Sequence, residues 1–130
     1  MTSEPEELAR MRSWLWTVLV GQGLALDECG KLLLAVGELC NNSIKHAYEG
    51  MRGQPIRISL VAGPDQLVIE VEDWGKPFDA SRYRQPDLEA TPEQGLGLFL
   101  VRSVVDQLLI DVERDSGTRW TLIKRWPAQT

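Results

Sequence analysis

From Ile56 to Asp73 the chain alternates apolar and polar residues in two runs. Ile56, Ile58 and Leu60 mark the first, Leu67, Ile69 and Val71 the second, and Gly63-Pro64-Asp65 separates them. Period-two alternation around such a turn predicts a β-hairpin whose apolar face uses even positions first and odd positions second. A lone hairpin does not hold its shape in water, so the rest of the chain must cover that face. Two stretches at helical spacing precede it. Leu8, Met11, Leu15, Val18 and Leu19 predict a helix from Glu4 to Val20, broken by Gly21-Gln22-Gly23. A second helix is expected from about Asp27 to Tyr48, closed by Gly50. One face carries Leu32, Val36, Leu39, Cys40, Ser43 and Ala47, and Lys31, Glu38, Asn41, Asn42 and Lys45 lie roughly opposite.

After the hairpin, Lys76 to Gln94 carries three prolines and no sustained periodicity. A loop that long in a small domain is uncommon and usually functional or disordered. Gly95 is expected to open a helix from Leu96 to about Leu109, apolar on most sides and therefore deeply buried. Leu109 to Val112 and Thr118 to Lys124 read as a second hairpin around Asp115-Ser116-Gly117. Hairpins with helices on one face give an α+β two-layer sandwich, with about four or five mostly antiparallel strands covered by three helices. The 130 residues fit one domain, 1–130, with core enough to fold alone.

Several classes are disfavoured. A net charge of −5 argues against a nucleic-acid surface. The longest apolar runs, such as Leu96 to Val101, fall far short of the roughly 20 residues of a membrane span. The acidic start, Met1-Thr2-Ser3-Glu4-Pro5-Glu6-Glu7, resembles neither a signal nor a transit peptide, so cytoplasm is the expected location. Cys29 and Cys40 on one helix stand about 16 Å apart, too far for a disulfide, which needs roughly 4.4–6.8 Å. One histidine, His46, leaves no ordinary Cys/His zinc site. Gly95-Leu96-Gly97 lacks the third glycine and the preceding strand of a dinucleotide fingerprint, and neither a phosphate-binding GxxxxGK[ST] loop nor a GxSxG elbow occurs.

Three constellations carry candidate chemistry. Asp73 continues the Leu67, Ile69, Val71 stripe, where a carboxylate is costly unless hydrogen-bonded. With Gly75 beside it, it suits an adenine amino group; alternatively the strand ends at Val71 and Asp73 begins a turn. Glu38 and Asn42 stand at i and i+4, with Lys45 three further on: a base, a Mg²⁺-ligating amide and a cation for phosphate, or an ordinary solvated face. Gly95-Leu96-Gly97-Leu98 at a helix start suits an anion, or else a flexible junction. Trp14 and Trp16, two apart, cannot share a helix face. One is expected in the core, the other as a partner anchor.

Taken together these segments resemble the GHKL (Bergerat-fold) ATPases. Glu38-Leu39-Cys40-Asn41-Asn42-Ser43-Ile44-Lys45-His46-Ala47-Tyr48 is similar to their N box, with an ending close to that of anti-sigma-factor serine kinases. Val71 to Asp79 resembles the first glycine box, Gly95 to Arg102 the second, and Gly117-Thr118 stands where a third would be. The likeness runs from about Leu8 to Lys124. Lys76-Pro77 replaces a second glycine common in the first box, and the chain begins with its first helix, without the leading strand of longer relatives.

The resemblance implies an ATP- and Mg²⁺-dependent serine kinase. Asp73 would accept the adenine amino group, Gly75 would let the ring approach, and Thr118 would support it. Asn42 would ligate Mg²⁺, Lys45 would face the phosphates, and Gly95 and Gly97 would line the triphosphate under a lid of about 79–94. Glu38 would be the base. The implied partners are an anti-anti-sigma (STAS-like) protein and a sigma factor or other response regulator, with a homodimer implied by resemblance alone. The rival readings are a nucleotide-binding module that sequesters a partner without phosphotransfer, a detached histidine-kinase catalytic domain, and a scaffold without ligand.

Overall fold

A computed structural model describes residues 1–79, 92–112 and 116–125, with the backbone alone for 92–96. Helix α1 spans Glu7–Gly21 and α2 spans Leu26–Asn42, continued by a π-helical turn over Ser43–Ala47. The hairpin strands are β1, Ile56–Ala62, and β2, Gln66–Asp73. Helix α3, Pro92–Val104, leads into β3, Gln107–Asp111, and β4, Thr118–Arg125. The four strands form one antiparallel sheet in the order β1-β2-β4-β3. The architecture is the α+β sandwich expected from the alternating patterns.

Cross-strand register explains which face is covered. Ile58, Val71, Trp120 and Ile110 align across the sheet, as do Leu60, Ile69, Leu122 and Leu108. These rows join Leu15, Leu19, Leu32, Val36, Leu39 and Val101 of the helices in one apolar core. Truncating a fully buried member such as Leu39 costs about 2–5 kcal/mol. Cys29 and Cys40 are free and buried, and burial pushes the Cys40 thiol up to about 12.

Three local expectations are corrected. Leu15, fully buried, takes the core position on α1, and the two tryptophans point to either side of it. Both are exposed, Trp14 at 45% and Trp16 at 38%, so neither belongs to the core. Among its described side chains, helix α3 buries one stripe, Leu98, Val101 and Val104, while Phe99 is 50% exposed. It also stops at Val104 instead of Leu109. The Asp106 amide donates to the Ile123 carbonyl at 2.9 Å, and its carboxylate accepts the Arg125 amide at 2.6 Å, so pairing with β4 claims the segment. No strand precedes α1, although the residues ahead of it touch the edge strand β1. Met1 exchanges two 2.9 Å backbone hydrogen bonds with Ile56, and Thr2 pairs with Pro55. Of the expected lid, 80–91 lies outside the described residues, and 92–94 already belongs to α3. Asp115 of the second turn also lies outside them.

Candidate functional site

The π-helical turn is the hinge on which the site is built. An extra residue in the helix, closed by a 2.9 Å bond from the Tyr48 amide to the Ser43 carbonyl, ends α2 where the first candidate residues stand. Glu38 and Asn42 are half-buried on the last turns of α2, and Lys45 and His46 of the π turn are exposed. Ser43 faces inward and is buried.

Asp73 is 2% exposed at the end of β2, aligned between Ile56 and Thr118. The strand therefore reaches it and does not end at Val71. Its cost of burial is offset by donors: the Ser43 hydroxyl at 2.7 Å on one oxygen and the Gly75 amide at 3.2 Å on the other. Thr118 is buried beside it, and its hydroxyl oxygen accepts the Phe78 amide at 2.9 Å. The Phe78 ring sits edge-on to Trp120, centroids 5.0 Å apart. Thus the chain after Asp73 is tied to β4.

Two glycines mark where backbones close on one another. A Cβ at Gly75 would overlap the Ala47 carbonyl oxygen and stand 2.8 Å from the Tyr48 ring. The close approach there is made by the chain's own π turn. At Gly97 a Cβ would stand 2.8 Å from Glu38 Oε2. The Glu38 carboxylate therefore lies against the backbone of α3, where only a hydrogen leaves room for it. Gly95 does not open this helix, which begins at Pro92. It still falls among the first four residues, whose N–H groups have no acceptor inside a helix.

The structure thus brings Asp73, Gly75 and Thr118 together at one end of the sheet. It sets Glu38 against Gly97 and joins the two groups through the segment from Asn42 to Tyr48. Lys45 enters none of these described contacts. Reading the sequence did not single out Ser43 or Tyr48. Ser43 was detectable: it is a polar residue on the apolar stripe of α2, as Asp73 is on that of β2. Two such mismatches on facing layers satisfy one another.

The family model for the histidine kinase-like ATPase domain matches residues 1–124. The chain belongs to that family. Serine-protein kinase RsbW of Bacillus pumilus (strain SAFR-032) is 30% identical over 94% of this chain and 80% of the relative. The protein of the same name from Bacillus subtilis (strain 168) is also 30% identical, with the same coverage. That from Bacillus cereus (strain Q1) is 31% identical over 88% of this chain and 75% of the relative. The fold is also that of the histidine kinase domain from the Erythrobacter litoralis EL346 blue-light activated histidine kinase. TM-score is 0.60 at 21% identity, over 90% of this chain and 58% of the other. No helix among the described residues is long and apolar enough to cross a membrane.

Proposed function

We propose that residues 1–130 act as one ATP-binding kinase domain of the anti-sigma type, working in the cytoplasm. In this reading it phosphorylates a serine on a STAS-like partner and holds a sigma factor or similar regulator. The observation that carries the reading is the junction of Glu38 with Gly97. The Glu38 carboxylate, read as the base, lies against Gly97 in the second turn of α3, while a buried acceptor, Asp73, takes a hydrogen bond from Ser43 just past the end of α2. The relatives named serine-protein kinase, similar over nearly the whole chain, support it.

The donor set fits the nucleotide. Asp73, acceptor-only when ionised and oriented by two donors, suits the adenine amino group, with Gly75 under the ring and Thr118 at its side. Gly95 and Gly97 line the phosphates and Lys45 faces them. Among the described residues no three His, Cys, Asp or Glu side chains stand close enough to hold a metal. Mg²⁺ would rest on the Asn42 amide oxygen, phosphates and water, as this ion commonly does. ATP supplies the phosphoryl group that is transferred. Glu38 takes the proton of the incoming serine hydroxyl and orients its oxygen.

The test is transfer from Mg·ATP to a purified STAS-like protein, read as phosphoserine by mass spectrometry. Glu38→Gln is expected to keep nucleotide binding and lose about 10²–10⁴-fold in rate. Nucleotide binding with no transfer to any such partner would favour the sequestering module instead.

A further inference from the structure

Tyr48 is 7% exposed and sits where three elements meet. Its hydroxyl donates to the Pro55 carbonyl at 2.6 Å, just before β1, and accepts the Trp74 amide at 2.8 Å, just after β2. Past Asp73 the β2 ladder has ended, so the next backbone amides need acceptors elsewhere. Trp74 finds the Tyr48 hydroxyl, Gly75 finds the Asp73 carboxylate at 3.2 Å, and Lys76 finds the Ala47 carbonyl at 2.8 Å. Two of these three acceptors belong to residues 47 and 48. The Tyr48 ring completes the wedge, since with Ala47 it fills the space into which a Cβ at Gly75 would project.

We propose that Tyr48 is a positioning residue for the nucleotide pocket: its hydroxyl fixes the Trp74–Lys76 turn, and thereby nucleotide affinity, without touching the nucleotide. The inference rests on the pocket assigned under the proposed function. A phenol that donates to one backbone segment and accepts from another is fixed in both directions. It holds the exit of β2 against the entry of β1. That exit carries the Asp73 carboxylate and Gly75, so its position decides whether both meet a flat ring together. The adjacent pair Lys76 and Glu49, 3.9 Å apart with side chains 73% and 71% exposed, is too solvated to replace this hold.

Tyr48→Phe deletes the hydroxyl and keeps the ring. Two readouts are taken well below the melting temperatures of all proteins. Amide hydrogen exchange at Trp74 is expected to quicken at least tenfold in the variant, with Ile69 in mid-strand unchanged. Calorimetric titration with Mg·ATP is expected to show roughly fivefold to thirtyfold weaker binding. Val36→Ala, a core truncation on α2, serves as a control for destabilisation alone and should bind ATP like the parent. Unchanged Trp74 exchange overturns the proposal, as does faster exchange with parental affinity. A parent that binds no ATP overturns the pocket reading instead, a result distinct from a parent and variant that bind equally. If the variant does not fold, the Trp74 amide of the parent decides: an unprotected amide there overturns the claim.

Discussion

Gly97→Ala separates stability from chemistry. In most helix interiors alanine is more favourable than glycine by about 0.5–1 kcal/mol. Here the new methyl would stand 2.8 Å from Glu38 Oε2 and 3.7 Å from its carboxyl carbon, where ordinary contact begins at 3.4 Å. The obstacle is the end of a flexible side chain, so the fold can yield by moving the carboxylate roughly half an ångström. Leaving its preferred rotamer costs Glu38 about 0.5–1.5 kcal/mol, so net stability should stay within about 1 kcal/mol of the parent. The proposed base, however, is displaced. A misplacement of about 1 Å costs on the order of a hundredfold, so kcat for phosphotransfer should fall about tenfold to hundredfold. Urea unfolding and steady-state transfer to the partner, measured on the same preparations, give both quantities. Parental kcat in a variant of parental stability would refute the placement of Glu38 as the base. A variant that fails to fold would refute the claim that the side chain can yield.

Ser43→Ala removes the hydroxyl 2.7 Å from buried Asp73. It should destabilise by about 2 kcal/mol in urea and weaken ATP binding; loss of neither would show that Asp73 is oriented by other groups. Gly117 has φ of +75°, and a Cβ there would overlap the Asp73 carbonyl and lie 2.6 Å from the Trp74 Cα. Gly117→Ala should therefore cost more than about 3 kcal/mol, read as a collapsed thermal transition by circular dichroism. Stability should also fall at high pH. The Cys40 thiol is raised to about 12 by burial. The folded state then holds a proton that the unfolded chain releases above about 8.5. Stability is complete below that value and declines by up to about 1.4 kcal/mol per pH unit toward 12. Cys40→Ala should flatten this alkaline limb in pH-dependent urea melts; an unchanged slope would remove the assignment.

The layers of this fold were legible because each apolar pattern had one period and one partner. β1 and β2 lie where alternation predicts them, and the buried face of α2 carries Leu32, Val36, Leu39 and Cys40 as its periodicity requires. Asp73 was legible as the polar residue ending an apolar stripe. What escaped depends on long-range competition. The end of α3 was overrun because β4 captures Asp106 and Gln107, and nothing local in the Val104 to Leu109 run announces that pairing. The π turn adds one residue to a helix whose pattern reads as continuous, so Ser43 looked like core and Tyr48 like a helix end. Trp14 and Trp16 misled because their bulk suggests burial, although Leu15 between them already fills the core position.

The central claim is that Asp73 and the boxes around it form an ATP pocket. A thermal-melt titration with Mg·ATP, run beside Asp73→Asn, tests it most directly. Binding to the folded state alone adds about 2.7 kcal/mol at a hundred times Kd, which raises Tm by roughly 10 °C in a domain of this size. A saturable rise of that order in the parent, absent in the variant, is the predicted result. No shift at millimolar ATP, or an equal shift in both proteins, would contradict the account.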